Sequence, residues 1–198
     1  MSISTPEVKM GRIEAPEVDT RKTVTLSINV KKFMPNLLWV LSATSKDDNR
    51  DILKYLNIDD NGFCCTDGRR LHLCSDITCL PNGLEHGLYQ VNICKDIIVF
   101  IPKDGTFPDY KAVIFEPETE PITLNFDFTK YDVSEKSVRY STSIVKISQI
   151  LNGESTVNID FLKDMAGFCW KVYGKDNNKV KFVAGINTAI IMGLRMKD

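Results

Sequence analysis

The sequence has little histidine, no strong net charge and no long apolar run, and each shortage argues against a class of function. Its two histidines, His72 and His86, have no paired nucleophile, and no glycine-rich phosphate loop is present, so we predict no catalysis and no cofactor. The formal net charge of −1 argues against a protein that simply coats nucleic acid, although one face can still be basic. The apolar runs are too short to cross a membrane, and the N-terminus lacks the apolar core of a secretory signal. We therefore expect a cytoplasmic protein with no membrane partner.

The spacing of the six cysteines argues against a metal site. They are Cys64, Cys65, Cys74, Cys79, Cys94 and Cys169. Cys64 and Cys65 are adjacent in a predicted strand, where successive side chains point to opposite faces, and no Cys-x-x-Cys pair occurs. Without an export signal, cysteines within apolar runs are expected to be reduced thiols of the core. We predict no metal.

The patterns along the chain predict an α+β protein in which strand, helix and strands occur twice. Residues 1–23 are polar and are expected to form a flexible leader. The acidic, proline-containing segment 116–121 is the best internal linker, and it separates a first half, 24–116, from a second half, 117–198. An alternative is that residues 24–198 form a single domain.

Two helices and a set of strands are predicted from periodicity. Residues 32–44 carry Met34, Leu37, Leu38 and Leu41 at helical spacing, which predicts an amphipathic helix with Trp39 exposed on the opposite face. A second, shorter helix follows Asn158, a plausible N-cap. Alternation and turn signals predict strands over 24–30, 52–58, 62–66, 70–74, 87–92, 97–101, 122–128, 137–147 and 188–195. Asp67-Gly68 is the clearest hairpin signal, and it places Arg69 and Arg70 at a fixed turn.

Four segments, taken in order, resemble the bacterial DNA polymerase III beta subunit, the sliding clamp. Thr66-Asp67-Gly68-Arg69-Arg70-Leu71 resembles the Thr-Asp-Gly-His-Arg-Leu signature of its middle domain, and Arg50-Asp51-Ile52-Leu53 resembles the residues before that signature. Phe107-Pro108-Asp109-Tyr110 looks like the Phe-Pro-Asp-Tyr that closes the middle domain. Asn158 with Phe161, and the segment 190–196, resemble parts of the last domain and its tail. The similarity runs from about Val24 to Met196 and includes no counterpart of the first domain.

The resemblance implies a DNA clamp fold, with antiparallel sheets outside and helices on an inner face that meets duplex DNA without reading bases. The residues predicted to meet DNA are four lysines and one tryptophan, read from the outward helix faces: Lys31, Lys32, Lys46, Lys163 and Trp39. From the residues alone, these also fit an ordinary solvated helix face. A clamp of this size must self-associate to encircle DNA, so the resemblance implies a homo-oligomeric ring.

The resemblance also implies an apolar groove that binds a linear peptide of a DNA polymerase or another clamp-binding protein. Carried over by position, it comprises Leu53, Thr66, Gly68, Arg69, Arg70, Leu71, Pro108, Val113, Ile190, Met192, Gly193, Leu194, Arg195 and Met196. Arg69 replaces the usual His, and Gly193 replaces the usual Pro. The expected function is that of a processivity or tethering factor. The alternative is a module that keeps the groove, forms no ring and competes for clamp partners.

Overall fold

A computed structural model describes residues 21–27, 34–94, 97–129, 131–175 and 178–195 of the chain. Within these ranges the chain forms twelve β-strands and three α-helices. The first half contains β1 (Val24–Ser27), α1 (Met34–Leu41), β2 (Leu56–Asp59), β3 (Gly62–Thr66), β4 (Arg70–Cys74), β5 (Gly87–Cys94) and β6 (Ile97–Lys103). The second half contains β7 (Ile122–Asn125), α2 (Val133–Ile150), β8 (Ser155–Thr156), α3 (Ile159–Lys163), β9 (Cys169–Lys175), β10 (Lys179–Ala184), β11 (Asn187–Met192) and β12 (Leu194–Arg195).

One ten-stranded antiparallel sheet contains strands from both halves. Its strand order is β1-β6-β5-β2-β3-β4-β11-β10-β9-β7. The halves join where β4 pairs with β11, with Leu71 opposite Ile190. The short strands β8 and β12 form a separate pair. The segment 116–121 connects two parts of one continuous sheet.

Each face of this sheet packs against a different layer. Cys65 belongs to a large buried cluster that includes residues of all three helices, whereas its neighbour Cys64 belongs to a smaller cluster on the other side. The smaller cluster contains Tyr110 and Phe115, which follow β6 in the chain. Since adjacent strand residues point to opposite faces, the sheet has a helix face and a face covered by residues 107–115.

Helix α2 is the largest departure from the sequence prediction, which placed a strand over 137–147. The β-branched residues of this segment favoured a strand, but its buried positions recur at helical spacing, with Ser143 and Ile147 inside. Asp132 caps the helix, and its carboxylate accepts a hydrogen bond from the Glu135 backbone N–H at 2.8 Å. The prediction was wrong because this N-terminal Asp-x-x-Glu signal was overlooked.

The other predicted elements are largely present. Strands β3 and β4 have the predicted bounds, and Asn158 caps α3 by accepting from the Asp160 N–H at 2.9 Å. The predicted strand over 52–58 is shortened to β2, because a 3₁₀ turn occupies Asp51–Lys54. No helix in the described part of the chain is long and apolar enough to span a membrane.

The predictions for the cysteines and for the leader are only partly confirmed or remain untested. All six cysteines are free, and Cys64, Cys65 and Cys74 are buried, but Cys94 and Cys169 are exposed, contrary to the prediction that the cysteines belong to the core. Most of the predicted leader lies outside the described residues, so its flexibility stays a prediction. Arg21, close to its end, donates hydrogen bonds to the carbonyls of Leu88 and Lys103, at 3.3 and 2.8 Å.

Candidate functional site

The turn between β3 and β4 is held by a dense set of local hydrogen bonds. The Asp67 carboxylate accepts from the backbone N–H groups of Arg69 and Arg70, at 2.8 and 3.0 Å. Thr66 Oγ1 donates to the Arg70 carbonyl at 2.6 Å and accepts from the Gly68 N–H at 3.1 Å. Gly68 has φ 84°, a conformation that favours glycine. The turn therefore fixes the register of the two strands and presents Arg69 at its tip.

The alternation along β4 divides its side chains between the two faces of the sheet. Leu71 and Leu73 belong to the smaller cluster, together with Ile190 of β11. His72 points the other way, and its ring stacks on Trp39 of α1 with ring centroids 4.5 Å apart. Arg70 lies on the same side as His72. Consecutive residues of the signature therefore serve different surfaces.

The segment 107–115 covers part of the face opposite the helices. Tyr110 and Phe115 are buried members of the smaller cluster, and Phe107 and Val113 pack against it. The Tyr110 hydroxyl donates to the Asp59 carboxylate at 2.9 Å, and burial raises the pKa of Tyr110. Burial alone would raise the pKa of Asp59, but donors from the Asn61 backbone and the Tyr110 hydroxyl outweigh it, and this pKa is lowered. The aromatic cover is thus attached to the end of β2.

A cavity of about 160 Å³ opens between this cover, the signature turn and β11. Ten of the residues predicted for the groove line it: Leu53, Thr66, Gly68, Arg69, Arg70, Leu71, Pro108, Val113, Ile190 and Met192. Asp109 and Tyr110 also line it, and they belong to the Phe-Pro-Asp-Tyr segment singled out in the sequence. We call this cavity the groove. Segments far apart in sequence therefore meet at one site.

Residues 193–195 lie outside the groove, although the carried-over set included them. Leu194 and Arg195 form β12, which pairs with β8, and neither they nor Gly193 line the cavity. The Gly193 N–H donates to the Asn178 carbonyl. Proline, which is usual at this position in the resembled family, has no N–H to make this bond, and any Cβ here would lie 3.1 Å from the Asn178 carbonyl oxygen, which favours glycine. Met196 lies outside the described residues.

Arg70 is one of the residues predicted for the groove, but its guanidinium is already bonded to other parts of the protein. Its guanidinium bonds to Asp67 at 3.1 Å, to Asp164 at the end of α3, and to the Ser42 carbonyl after α1 at 2.6 Å. It also lies 4.6 Å from the centre of the Phe161 ring. The side chain is only 10% exposed. Arg70 therefore ties the turn to the two helices, and Arg69 is the exposed arginine.

Trp39, one of the predicted DNA-contact residues, is buried in the structure. Trp39 was expected to be exposed, but it is only 5% exposed, and Leu38 is 45% exposed instead. The buried stripe of α1 is rotated relative to the prediction, because the indole packs between His72 and Trp170 and buries a large aromatic surface. Trp39 is thus unavailable to DNA.

The lysines of the predicted set remain on the surface where the structure describes them. Lys46 is exposed, and Lys163 is exposed but paired with Asp160 at 2.7 Å. Lys31 and Lys32 lie outside the described residues. Of the predicted DNA-contact residues that the structure describes, Lys46 is therefore the one that is exposed and forms no ion pair within the described ranges.

A second cavity, of about 700 Å³, lies between α2 and the edge strand β7, and the sequence reasoning missed it. Thr123 of β7 and Val138, Arg139 and Lys146 of α2 are among its lining residues. The helix cap at Asp132 would have indicated α2, which forms one wall of this cavity. Among the described residues, no group of three or more His, Cys, Asp or Glu side chains is arranged to hold a metal ion.

Comparisons with known proteins agree with this geometry at the level of fold. No protein-family model matches the sequence, and neither does any curated protein. Among solved structures, the DNA polymerase III subunit beta of Pseudomonas aeruginosa is 14% identical with a TM-score of 0.58, over 96% of this chain and 69% of that one. The subunit beta of Borrelia burgdorferi is 12% identical with a TM-score of 0.54, over 93% of this chain and 67% of that one. The beta chain of Streptococcus pneumoniae is 13% identical with a TM-score of 0.53, over 95% and 68%.

The chain thus spans about two thirds of the length of these proteins while aligning over most of its own. The large antiparallel sheet with helices on one face accounts for the match. The resemblance noted in the sequence is confirmed as a resemblance of fold, and the chain has the fold of the bacterial DNA polymerase III beta sliding clamp.

Proposed function

We propose that this protein is a sliding-clamp-like processivity or tethering factor that recruits replication proteins through the groove. The observation that carries the proposal is the meeting of the signature turn, the Phe-Pro-Asp-Tyr segment and β11 around one cavity. Its lining combines apolar side chains, such as Leu71, Ile190 and Met192, with an arginine at the rim. Such a surface suits a short peptide whose apolar side chain enters the cavity while its backbone meets polar groups outside. The proposed role is non-enzymatic, needs no cofactor and belongs to the cytoplasm.

The groove is tested with a fluorescent peptide that carries the clamp-binding motif of a bacterial replication protein. Met192→Asp places a charge in the lining at a half-buried position, so we expect the peptide to bind at least about tenfold more weakly. Leu194→Asp is the matched control, because Leu194 is exposed and outside the cavity. Circular dichroism checks that both variants are folded. Normal peptide binding by folded Met192→Asp would refute the groove.

The proposed ring is built from several copies, because one chain is too small to encircle duplex DNA by itself. Strands β1 and β7 are the two ends of the ten-stranded sheet, and within the described residues each has one edge without a partner strand. Free edges of this kind readily pair with another chain. Head-to-tail pairing of β1 in one copy with β7 in the next would repeat around a closed cyclic ring. The exposed Val138 beside β7 adds apolar surface to that end.

Light scattering across a concentration series tests the ring. We expect a discrete oligomer, and we expect Val138→Glu to lower the molar mass by placing a charge at the junction. Val145→Glu is the control, since Val145 is exposed on the same helix but does not line the cavity beside β7. A monomer at every concentration would contradict the ring.

Duplex DNA is the second proposed partner, bound non-specifically by the helix face through phosphate contacts. Lys46 lies on this face, near Asp164. Burial raises the pKa of the Asp164 carboxyl, and the positive charge of Lys46 opposes this rise. We expect Lys46→Glu to weaken retention on circular DNA at low salt and to reduce the salt dependence by roughly one phosphate contact. Lys111→Glu, on the exposed groove side, should leave retention unchanged. Equal retention by both variants would count against the helix face.

A second candidate function is a clamp-like protein-binding module that forms no ring and competes for clamp partners. Two observations favour it: Trp39 is buried, and Lys163 is paired with Asp160. The ion pair reduces the positive charge that Lys163 could offer to phosphates, and the burial of Trp39 removes a predicted DNA contact. A monomeric protein that binds the clamp-motif peptide but is not retained on circular DNA would support this module over the ring.

A further inference from the structure

We propose that the groove selects a peptide in which one large apolar side chain is adjacent to an acidic residue that pairs with Arg69. This inference rests on the proposed peptide-binding function and specifies the chemistry of the partner. It is argued from the size of the cavity and from the charges at its mouth.

The size of the cavity limits how many side chains it can receive. Its volume of about 160 Å³ is close to the roughly 150 Å³ of an engineered apolar cavity that takes up a benzene molecule. One leucine- or phenylalanine-sized side chain therefore fills it. The chain turns away at Gly193, so β12 adds no further lining. Neighbouring peptide residues must lie at the mouth, where polar groups decide which of them are accepted.

Arg69 is the cation at this mouth that is available to a ligand. It lines the cavity and is exposed, and within the described residues no carboxylate pairs with its side chain. The other arginines of the turn differ: Arg70 is bonded to Asp67 and Asp164, and Arg50 lies 3.6 Å from Asp47. The turn hydrogen bonds fix the Arg69 backbone at the edge of the cavity, which keeps its guanidinium within reach of a bound peptide. The planar guanidinium of arginine can donate two parallel hydrogen bonds to a carboxylate, so an acidic residue of the peptide is the expected partner of Arg69.

The segment 107–115 contributes a negative charge to the lining, whereas the turn contributes Arg69. Asp109 lines the cavity, and its carboxylate accepts from the Lys111 backbone N–H at 3.1 Å. It would repel a second carboxylate, so the mouth does not favour acidic residues on every side. An acidic residue is expected on the Arg69 side of the apolar anchor and disfavoured on the Asp109 side. This asymmetry gives the bound peptide a preferred direction.

The test uses the clamp-motif peptide in versions with aspartate, asparagine or lysine directly before or directly after its apolar anchor. Fluorescence anisotropy at low salt measures the dissociation constant of each version. In one of the two positions, aspartate should bind roughly fivefold more tightly than lysine, with asparagine between them, since exposed ion pairs have effects of this size. The preference should shrink as salt is added.

Arg69→Glu should reverse the preference, so that the lysine version binds more tightly than the aspartate version. Arg195→Glu is the matched control, because Arg195 is exposed but outside the cavity, and it should leave the order unchanged. Equal binding of the aspartate and lysine versions, or an order that Arg69→Glu does not change, would overturn the inference while leaving the groove intact. Failure of all versions to bind the folded wild-type protein would overturn both the inference and the proposed groove.

Discussion

Replacing Arg70 by methionine should destabilise the protein by about 3 kcal/mol, because the guanidinium joins three parts of the fold. It bonds to Asp67, to Asp164 and to the Ser42 carbonyl, and its side chain is 10% exposed. Methionine keeps most of the apolar stem but leaves two partly buried carboxylates without their counter-charge. Removing one partner of a buried ion pair typically costs about 3–5 kcal/mol, and the partial exposure of the acids places our value at the lower end.

Urea denaturation followed by tryptophan fluorescence measures this loss. With a slope of about 2 kcal/mol per molar urea, the midpoint should fall by about 1.5 M. Arg69→Met is the matched control, since Arg69 is exposed and is expected to change stability by less than about 0.5 kcal/mol. A midpoint for Arg70→Met equal to that of Arg69→Met would refute the role assigned to Arg70.

The pH dependence of this variant gives an independent check. Burial raises the pKa of Asp164, and Arg70 opposes the rise, so removing Arg70 should raise this pKa further. The folded state then binds a proton at Asp164 more tightly than the unfolded state, and lowering the pH stabilises it. The stability difference between wild type and Arg70→Met should therefore narrow from pH 7 to pH 5. A constant difference over this range would show that Asp164 is not left uncompensated.

Three further variants probe other parts of the site. Burial lowers the pKa of His72 to about 3, whereas histidine in the unfolded state titrates near 6.5, so the unfolded state takes up the proton first as the pH falls. Below pH 6.5 the free energy of unfolding should therefore fall by up to about 1.4 kcal/mol per pH unit. Urea titrations of His72→Gln should show a smaller slope with pH. Gly193→Pro and Gly193→Ala both add a Cβ 3.1 Å from the Asn178 carbonyl oxygen, but only proline also removes the N–H that donates to it. Gly193→Pro should therefore cost about 1–3 kcal/mol more than Gly193→Ala, and equal losses would contradict the hydrogen-bond argument. Tyr110→Phe removes the hydroxyl bonded to Asp59 and should lower the free energy of unfolding by about 1.5–3 kcal/mol, and an unchanged value would mean that the cover is held by apolar packing alone.

The hairpin at the centre of the groove could be predicted from the sequence because several local signals agree there. Asp67 and Gly68 specify the turn, and the apolar residues on each side alternate as strand residues do. Strands β3 and β4 accordingly begin and end where predicted. That the ten lining residues lie together was predicted from their positions in the resembled family, because the segments that carry them are far apart in the chain.

Two wrong predictions concern features that tertiary contacts decide, and a third concerns α2, where a local signal was overlooked. Four leucine and methionine residues gave α1 a plausible apolar face, but the orientation of the helix is set by Trp39, which packs against His72 and Trp170. The path of the tail depends on the bond from Gly193 to Asn178, which no local pattern indicates. In α2, the β-branched residues favoured a strand, and only the cap at Asp132 indicated a helix.

The dense bonding of the signature turn follows from what adjacent residues of β4 must do. Leu71 faces the groove, whereas Arg70 and His72 face the helices, so a shift of one residue in the pairing of β3 with β4 would exchange the two sets. Such a shift would place the side chains of Arg70 and His72 in the apolar cavity and the side chain of Leu71 against the polar helix ends. Burying these polar groups without partners would lower the free energy of unfolding by several kcal/mol. The bonds from Thr66 and Asp67 to the turn backbone fix the pairing at the point where a slip would begin. The same turn that presents Arg69 therefore also keeps the groove and the helix face on opposite sides of one sheet.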